Sequence, residues 1–193
     1  MFDQEIRFSA KPAIDFLIKL AIGVASALLI SPLIWEINVD TDVMFGSLIA
    51  CMIPALFGWK VGGVAMLIYV ICGTAGLPVF AGHNGGLHYF VPDAQHGYST
   101  STGFLVGYIM AALVVGYLAE RTNANKPLAV FGLFFAGHVL ILGMGFVHMF
   151  QIPNNSFELL PMLKSFGPSF LIKAGIFVVL LQMIAKKYVP QKI

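Results

Sequence analysis

The chain has 193 residues, of which 59% are apolar and 10% are charged, and its formal net charge is +2. An ordinary soluble domain has about 45–50% apolar and about 25% charged residues. Because a soluble domain of this size cannot bury so much apolar surface, the composition excludes a soluble enzyme, a disordered chain and a nucleic-acid-binding protein. It indicates a small membrane protein that crosses the lipid bilayer several times.

Long apolar runs predict six membrane-spanning helices, since each crossing takes about 20 helical residues. The predicted spans are residues 13–35, 43–59, 61–76, 103–119, 128–150 and 168–185. The predicted fold is an all-α integral membrane protein in which residues 1–193 form a single compact bundle. The second and third spans are joined by little more than Trp59 and Lys60, which predicts a tight antiparallel helical hairpin.

Charge placement predicts that both termini lie in the cytoplasm, because Lys and Arg are enriched in cytoplasmic loops. In this orientation eight of the eleven cations lie on the cytoplasmic side: Arg7, Lys11, Lys60, Arg121, Lys126, Lys186, Lys187 and Lys192. The outer side receives Lys164 and five acidic residues: Glu36, Asp40, Asp42, Asp93 and Glu158.

The outer loop between the third and fourth spans, residues 77–102, contains no Lys or Arg. Its large apolar side chains include Phe80, Tyr89 and Phe90, too many for a disordered linker. We expect this loop to form a packed lid on the outer side. Together with Phe104, these aromatic rings suit either the wall of a ligand pocket or an interfacial belt.

A glycine-rich stretch, GLPVFAGHNGG at residues 76–86, begins this loop. Glycine allows sharp turns and the close approach of backbone to a ligand, which makes Gly82, Gly85 and Gly86 candidate ligand-binding positions. The side chain of Asn84 both donates and accepts hydrogen bonds. The alternative interpretation is a plain glycine-rich turn that caps a helix.

Lys173 lies about a turn and a half inside the sixth predicted span. A lysine deep in a spanning helix costs about 2.5–3.5 kcal/mol on insertion scales, and such residues pair with another group or face an aqueous cavity. A ligand carboxylate is one suitable partner. Alternatively, the long side chain extends to the nearby outer interface.

The stretch at 76–86 resembles the signature of the BioY family, the biotin-specific substrate-binding (S) components of energy-coupling-factor (ECF) vitamin transporters. The similarity extends through residues 58–69, 102–108, 115–121 and 171–174. The resemblance implies a six-helix protein of a bacterial cytoplasmic membrane that binds biotin near its outer face and uses no cofactor. It also implies a partner transmembrane subunit and two ATPases.

From this resemblance we expect an outward-facing pocket closed by the outer loops. Asn84 and nearby backbone would bind the ureido ring, aromatic side chains would cover the bicycle, and Lys173 would neutralise a polar or anionic group. The expected biotin-binding residues are Asn84, Lys173, Gly82, Gly85, Gly86, Phe80, Tyr89, Phe90, Ser101 and Phe104.

Ala21 and Ala25 form a small-xxx-small pattern on the first span, which lets two helices pack closely. In the family that the chain resembles, an Ala-x-x-x-Ala pattern on the first helix docks against the partner transmembrane subunit. The pattern equally suits packing within the chain.

Three departures from the family pattern concern the ligand. Residues 99–104 retain one glycine of a usual Gly-Pro-Thr-Gly-Gly-Tyr run, and residues 92–98 resemble an insertion. Phe170 stands where the sixth helix usually has an aspartate. If that carboxylate accepts from the ureido N–H groups, Asp93, Gln95 or Ser169 must replace it. The alternative ligand is another small carboxylate-bearing vitamin.

Other motifs that would indicate catalysis are absent from the sequence. It has no P-loop, no Gly-x-Ser-x-Gly and no His-Glu-x-x-His, and the histidine spacing predicts no metal site. We therefore expect a binding protein and not an enzyme. Two other classes stay open: a small intramembrane enzyme using His83, His88 or His138 as a base, and an assembly protein.

Overall fold

The computed structural model describes residues 6–38, 41–123, 125–153 and 159–188. It contains the helices α1 (Pro12–Ile30), α2 (Gly46–Thr74), α3 (Thr102–Ala119), α4 (Pro127–Gln151) and α5 (Leu159–Tyr188), and the strands β1 (Ile34–Asn38) and β2 (Thr41–Met44). Within the described ranges, five helices are long and apolar enough to cross a membrane. The protein is therefore a multi-pass membrane protein. Three residues used in the charge argument, Asp40, Glu158 and Lys192, lie outside the described residues.

The first helix ends at Ile30, and a short β-hairpin follows it. Pro32 lacks a backbone N–H and therefore cannot continue the hydrogen-bond pattern of the helix. Strand β1 pairs antiparallel with β2, with Trp35 opposite Val43. The predicted first span, 13–35, therefore extends into a strand, where β-branched and aromatic residues favour the extended conformation.

The second helix, α2, is interrupted at Gly58, where the chain turns back on itself. Gly58 has φ +83° and ψ 168°, a conformation that glycine adopts without the steric cost of a Cβ. A Cβ on Gly62 would lie 2.7 Å from Cα of Pro54, whereas residues eight apart in a continuous helix are about 12 Å apart along its axis. The two halves of α2 therefore pack together as a hairpin, on which the predicted spans 43–59 and 61–76 fall.

The two ends of α2 lie at the same end of the bundle. A Cβ on Gly46 would lie 3.1 Å from Cζ of Tyr108, and the ring of Tyr69 is 6.4 Å from the ring of Tyr108. At the other end of α3, a Cβ on Gly116 would lie 2.9 Å from Cβ of Trp59, next to the turn. We call these ends of the bundle the Tyr108 end and the Gly58 end.

Helices α3 and α4 approach closely through small residues. A Cβ on Gly107 of α3 would lie 2.9 Å from Cα of Ile141 on α4. Such contacts hold membrane helices together through close packing. The bounds of α3 and α4 each differ by one residue at one or both ends from the predicted spans, 103–119 and 128–150.

Helix α5 begins at Leu159, nine residues before the predicted start at 168. Pro168 therefore lies inside the helix. Proline is tolerated inside membrane helices because neighbouring groups can satisfy the carbonyl that its missing N–H leaves free. The prediction placed the start of the span at this proline and thus missed the first part of α5.

Candidate functional site

A cavity of about 360 Å³ opens at the Tyr108 end of the bundle. Ligand pockets for small molecules have volumes of about 300–1,000 Å³. Aromatic side chains form much of its wall: Tyr69, Phe80, Tyr89, Phe104, Tyr108 and Phe166. Its polar side chains are Ser31, Ser47, Asn84, Thr100, Ser101, His138 and Lys173. This composition suits a ligand that has a flat apolar body and a few polar atoms.

Lys173 is the one Lys or Arg among the described residues that line this cavity. The side chain is 3% exposed, and its Nζ donates to Oγ of Ser47 at 2.9 Å. None of the carboxylates in the described ranges forms an ion pair with it. The ammonium therefore has donor capacity and a positive charge to offer a ligand.

The aromatic wall is held in place by ring contacts between the lid and the helices. Phe80, which is 2% exposed, packs edge-on against Tyr69 at 5.6 Å and against Tyr89 at 4.8 Å between ring centroids. The hydroxyl of Thr102 donates to the backbone carbonyl of Tyr89. Burial raises the pKa of the Tyr89 phenol, so this group stays protonated at neutral pH and can donate a hydrogen bond.

Glycines of the lid fasten it to the ends of α1 and α2. The N–H of Gly86 donates to the carbonyl of Gly73 at 2.7 Å, and the N–H of Gly82 donates to that of Pro32 at 2.9 Å. Gly82 and Gly86 have φ values of +72° and +134°. A Cβ on Gly85 would lie 2.9 Å from the carbonyl oxygen of Gly73. These three predicted site residues therefore shape the lid and do not line the cavity.

Asn84 lines the mouth of the cavity. Its Nδ2 donates to the carbonyl of Ala81 at 2.9 Å, and its backbone pairs with that of Phe80 in both directions. One N–H and the side-chain oxygen remain available to a ligand. Ser101 and Phe104 also line the cavity, whereas Phe90 is 37% exposed and lies outside the lining.

Asp93 and Gln95 lie outside the cavity lining, on the exposed surface of the lid. The carboxylate of Asp93 accepts from the backbone N–H of His96 at 2.7 Å and contacts its Nδ1 at 2.9 Å. These hydrogen bonds, the backbone one first, lower the pKa of the Asp93 carboxyl. The carboxylate of Asp93 therefore stabilises a turn within the insertion-like segment 92–98.

Phe170 packs away from the cavity against the rings of Phe134 and His138, at 5.6 and 5.1 Å between centroids. Neither Phe170 nor the buried Ser169 belongs to the lining. An aspartate in place of Phe170 would lie among these rings. The polar atoms of the cavity therefore come from other positions.

Ser47, Tyr69 and Tyr108 line the cavity but are not among the site residues predicted from the sequence, which offers His138 only as a candidate catalytic base. Ser47 and Tyr69 lie in apolar runs without a recognisable motif. They meet because α2 folds back at Gly58, which brings its two ends together. In the sequence, only the break at Gly58 between two apolar runs indicates that Ser47 and Tyr69 lie close together.

In the part of the chain that the structure describes, no three His, Cys, Asp or Glu residues lie close enough together to bind a metal ion. His88 stacks on His96 with ring centroids 4.2 Å apart. His148 contacts the carbonyl of Ser99 through Nε2 at 3.0 Å.

Ala21 and Ala25 lie on the exposed face of α1. The face that packs into the bundle presents Gly23 and Ala27 instead, and a Cβ on Gly23 would lie 3.4 Å from Cβ of Ala65. The small-residue pattern of Ala21 and Ala25 is thus not used for packing within the described part of the chain.

A second cavity, of about 800 Å³, opens at the Gly58 end. The N-terminal segment, α1, the turn of α2 and the end of α3 surround it. Its charged lining residues are four cations, Arg7, Lys19, Lys60 and Arg121, and two carboxylates, Asp15 and Glu120. Asp15 pairs with Lys19 at 2.8 Å. The Gly58 end of the bundle is therefore the basic end, opposite the cavity that contains Lys173.

These features define a multi-pass membrane protein with an internal cavity of ligand size at one end of its helical bundle. The sequence model of the BioY family matches residues 6–191. The chain belongs to the BioY family, as its resemblance indicated.

Individual relatives support this assignment. The chain is 35% identical over 102 residues to "Probable biotin transporter BioY" of Methanothermobacter thermautotrophicus, which covers 48% of this chain and 60% of that protein. It is 41% identical over 75 residues to "Biotin transporter BioY" of Rhizobium etli, covering 39% and 36%. The matched part is thus less than two thirds of the length of either relative.

The fold is also similar to a crystal structure described as the S-component for biotin from an ECF-type ABC transporter. The two chains share 18% sequence identity and a TM-score of 0.72, and the match covers 93% of this chain and 95% of that chain. At this identity the similarity shows a shared fold.

Replacing Ser47 with alanine should destabilise the protein, because it removes the partner of a buried ammonium. Hydrogen bonds to charged groups contribute about 1.5–3 kcal/mol, so we expect the free energy of unfolding to fall by about 1–3 kcal/mol in detergent. The double variant Ser47→Ala/Lys173→Met should lose less than Ser47→Ala alone. Equal stability of Ser47→Ala and wild type would contradict this prediction.

Proposed function

We propose that the protein is the biotin-binding subunit of a vitamin uptake transporter and binds biotin in the cavity at the Tyr108 end. Membership of the BioY family and the names of its relatives supply the ligand. The observation that carries the proposal is the buried Lys173, whose described partner is the hydroxyl of Ser47. It lies in a cavity lined by aromatic rings.

The chemistry of biotin matches the lining of the cavity. Biotin has a fused bicycle with a ureido edge, an apolar sulfur-containing ring, and a flexible chain that ends in a carboxylate. Rings of Tyr69, Phe80 and Tyr108 cover a flat apolar body. Lys173 donates to an oxygen of the ligand, and its positive charge offsets that of the anionic molecule. Asn84 contributes its free amide groups at the mouth.

Binding in this cavity requires the lid to admit the ligand and then cover it. The lid is attached at Gly82 and Gly86 to Pro32 and Gly73, which are fixed in the bundle. Phe80 and Tyr89 are its contribution to the wall. The protein binds its ligand without transforming it, and movement across the membrane depends on partner subunits.

Substitution of Lys173 by methionine should lower biotin affinity by about 10- to 100-fold, since a charged hydrogen bond contributes about 1.5–3 kcal/mol. Binding of radiolabelled biotin to the purified protein in detergent measures this change. Lys164→Met, at an exposed position of the same helix, should bind as tightly as wild type.

Competition with other small carboxylate-bearing vitamins completes this experiment. Biotin should displace the label at lower concentration than any of them. Absence of saturable biotin binding by the wild-type protein would refute the proposed function. A competitor that binds more tightly than biotin would reassign the ligand within the same class of transporter subunit.

We also propose that the chain crosses the bilayer six times, with both termini in the cytoplasm of a bacterial cell. The reversal of α2 at Gly58 supplies the additional crossing. Arg7, Lys60 and Arg121 all line the cavity at the Gly58 end, and clustered cations favour the cytoplasmic side. The biotin cavity then faces outward.

Labelling of single cysteines tests this arrangement in a background with Cys51→Ala and Cys72→Ala. A membrane-impermeant maleimide should label Tyr98→Cys in intact cells, and Lys11→Cys only after permeabilisation, because three crossings separate the two positions. Labelling of both from outside would show that α2 makes one crossing. Asn123→Cys, beyond α3, is the internal reference for the cytoplasmic side.

We further propose that the exposed face of α1 docks against an ECF transmembrane subunit, which in turn carries two ATPase subunits. Ala21 and Ala25 are exposed and small, so a second helix can approach the backbone of α1 closely. The same face presents Leu17 and Leu29, which are 60% and 72% exposed. An apolar partner helix would cover these side chains.

Tryptophan at both Ala21 and Ala25 should block this docking by steric exclusion and leave biotin affinity unchanged. Co-purification with the co-expressed partner subunits measures docking, and binding of radiolabelled biotin measures the site. Val179→Trp, at a position of α5 that is 56% exposed, is the matched control and should retain the partners. Unimpaired co-purification of the double variant would show that docking uses another surface.

A further inference from the structure

The cavity at the Gly58 end lies opposite the candidate biotin site and has no assigned role. Its volume is about 800 Å³, and the N-terminal segment, the turn of α2 and the end of α3 contribute Arg7, Lys60 and Arg121 to its lining. Along α1 the lining extends from Pro12 to Lys19, a distance of about 10 Å along the helix axis. The cavity therefore reaches from the end of the bundle into the part that the helices span.

The N-terminal segment forms a fixed wall of this cavity. The carboxylate of Asp15 accepts from the backbone N–H of Phe8 at 2.7 Å and pairs with Nζ of Lys19 at 2.8 Å. The ring of Phe8 packs edge-on against that of Phe57, beside the turn of α2, with 6.4 Å between centroids. The negative charge of Asp15 is thus offset inside the protein, and the segment that carries Arg7 is attached to both α1 and α2.

Two further cations of the lining have positive charge to offer an anion. Nζ of Lys60 lies 5.6 Å from the centroid of the Trp59 ring, and none of the carboxylates in the described ranges forms an ion pair with it. The guanidinium of Arg121 stacks on the ring of Tyr117 at 3.7 Å. It lies 3.8 Å from a carboxylate oxygen of Glu120, an exposed pair of the kind that contributes little. The fork of guanidinium donors matches the oxygens of a phosphate.

Apolar side chains on the surface of the bundle flank these cations. Leu17 of α1 is exposed, and so are Tyr117 and Leu118, one turn before Arg121 on α3. Trp59 lines the cavity and is itself exposed, and tryptophan is enriched where a membrane meets water. A basic cavity beside exposed apolar surface suits an amphiphile with an anionic head and apolar chains. A soluble anion would use the cations alone.

We propose that the cavity at the Gly58 end binds the phosphate headgroup of an anionic phospholipid. Arg7, Lys60 and Arg121 donate to the phosphate oxygens, and the acyl chains lie along the exposed apolar surfaces of α1 and α3. Basic pockets between membrane helices bind lipid headgroups in this way. The four cations of the lining exceed its two carboxylates by two, so the charge of the site is opposite to that of the lipid. The inference does not depend on which ligand occupies the other cavity.

Quenching of tryptophan fluorescence by brominated lipid tests this proposal at the site itself. The chain has two tryptophans, Trp35 and Trp59, so Trp35→Phe leaves the one that lines the cavity. This full-length variant is reconstituted in vesicles that mix phosphatidylcholine and phosphatidylglycerol, with bromine on the acyl chains of one lipid at a time. Brominated phosphatidylglycerol should quench Trp59 with an apparent affinity about tenfold higher than that of brominated phosphatidylcholine.

Two double variants in this background separate a site from a general attraction of lipid to a basic surface. Lys60→Gln/Arg121→Gln should reduce the preference for phosphatidylglycerol to about twofold or less. Lys126→Gln/Lys186→Gln removes the same charge from exposed positions outside the lining and should retain the preference. Thermal unfolding of each variant in detergent reports whether the fold is retained. Glycerol phosphate added in excess should leave the quenching unchanged, because it lacks acyl chains.

Several outcomes would overturn the inference. Equal quenching by the two brominated lipids would show no lipid site, and would favour an acidic protein partner for the cations. Equal losses in the two double variants would show a general effect of charge. Competition by glycerol phosphate would assign the cavity to a soluble phosphate ester. Binding of radiolabelled biotin, measured in parallel, tests the proposed function separately, since its absence would leave the preference for phosphatidylglycerol standing.

Discussion

The positive charge of Lys173 inside an apolar bundle is the constraint around which the candidate site is organised. A buried ammonium must be hydrogen-bonded and, where possible, offset by opposite charge. Ser47, on the first half of α2, provides one acceptor at 2.9 Å. Because Ser47 and Lys173 lie on different helices, this bond also joins α2 to α5 at the cavity. The remaining donor capacity of the ammonium is available to an oxygen atom of a ligand.

The reversal of the chain at Gly58 gives the bundle two chemically different ends. At the Tyr108 end, both ends of α2 contribute to an aromatic cavity, through Ser47 and Tyr69. At the Gly58 end, cations from separate segments surround a second cavity. One local feature of the backbone therefore brings together the walls of the candidate site and places an excess of cations at the opposite end, where a cytoplasmic membrane surface would favour them.

Sequence reasoning predicted the features that depend on composition and local pattern. Apolar run length located α3 and α4 to within one residue at each end, and the scarcity of charge singled out Lys173. It missed Ser47 because a serine in an apolar run has no local signature, and its role arises only from contact with α5. It also extended the first span into β1, since an apolar residue such as Trp35 suits either a membrane helix or a strand.

The relation between Phe170 and His138 shows why a family pattern alone does not define the site. In the sequence, Phe170 stands where the family pattern has an aspartate, and the missing carboxylate raises doubt about the ligand. In three dimensions the Phe170 ring lies outside the cavity lining and packs on the imidazole of His138, thirty-two positions earlier in the chain, which does belong to the lining. The contribution of a residue to the candidate site therefore depends on where its side chain packs, which a position in a sequence pattern does not give.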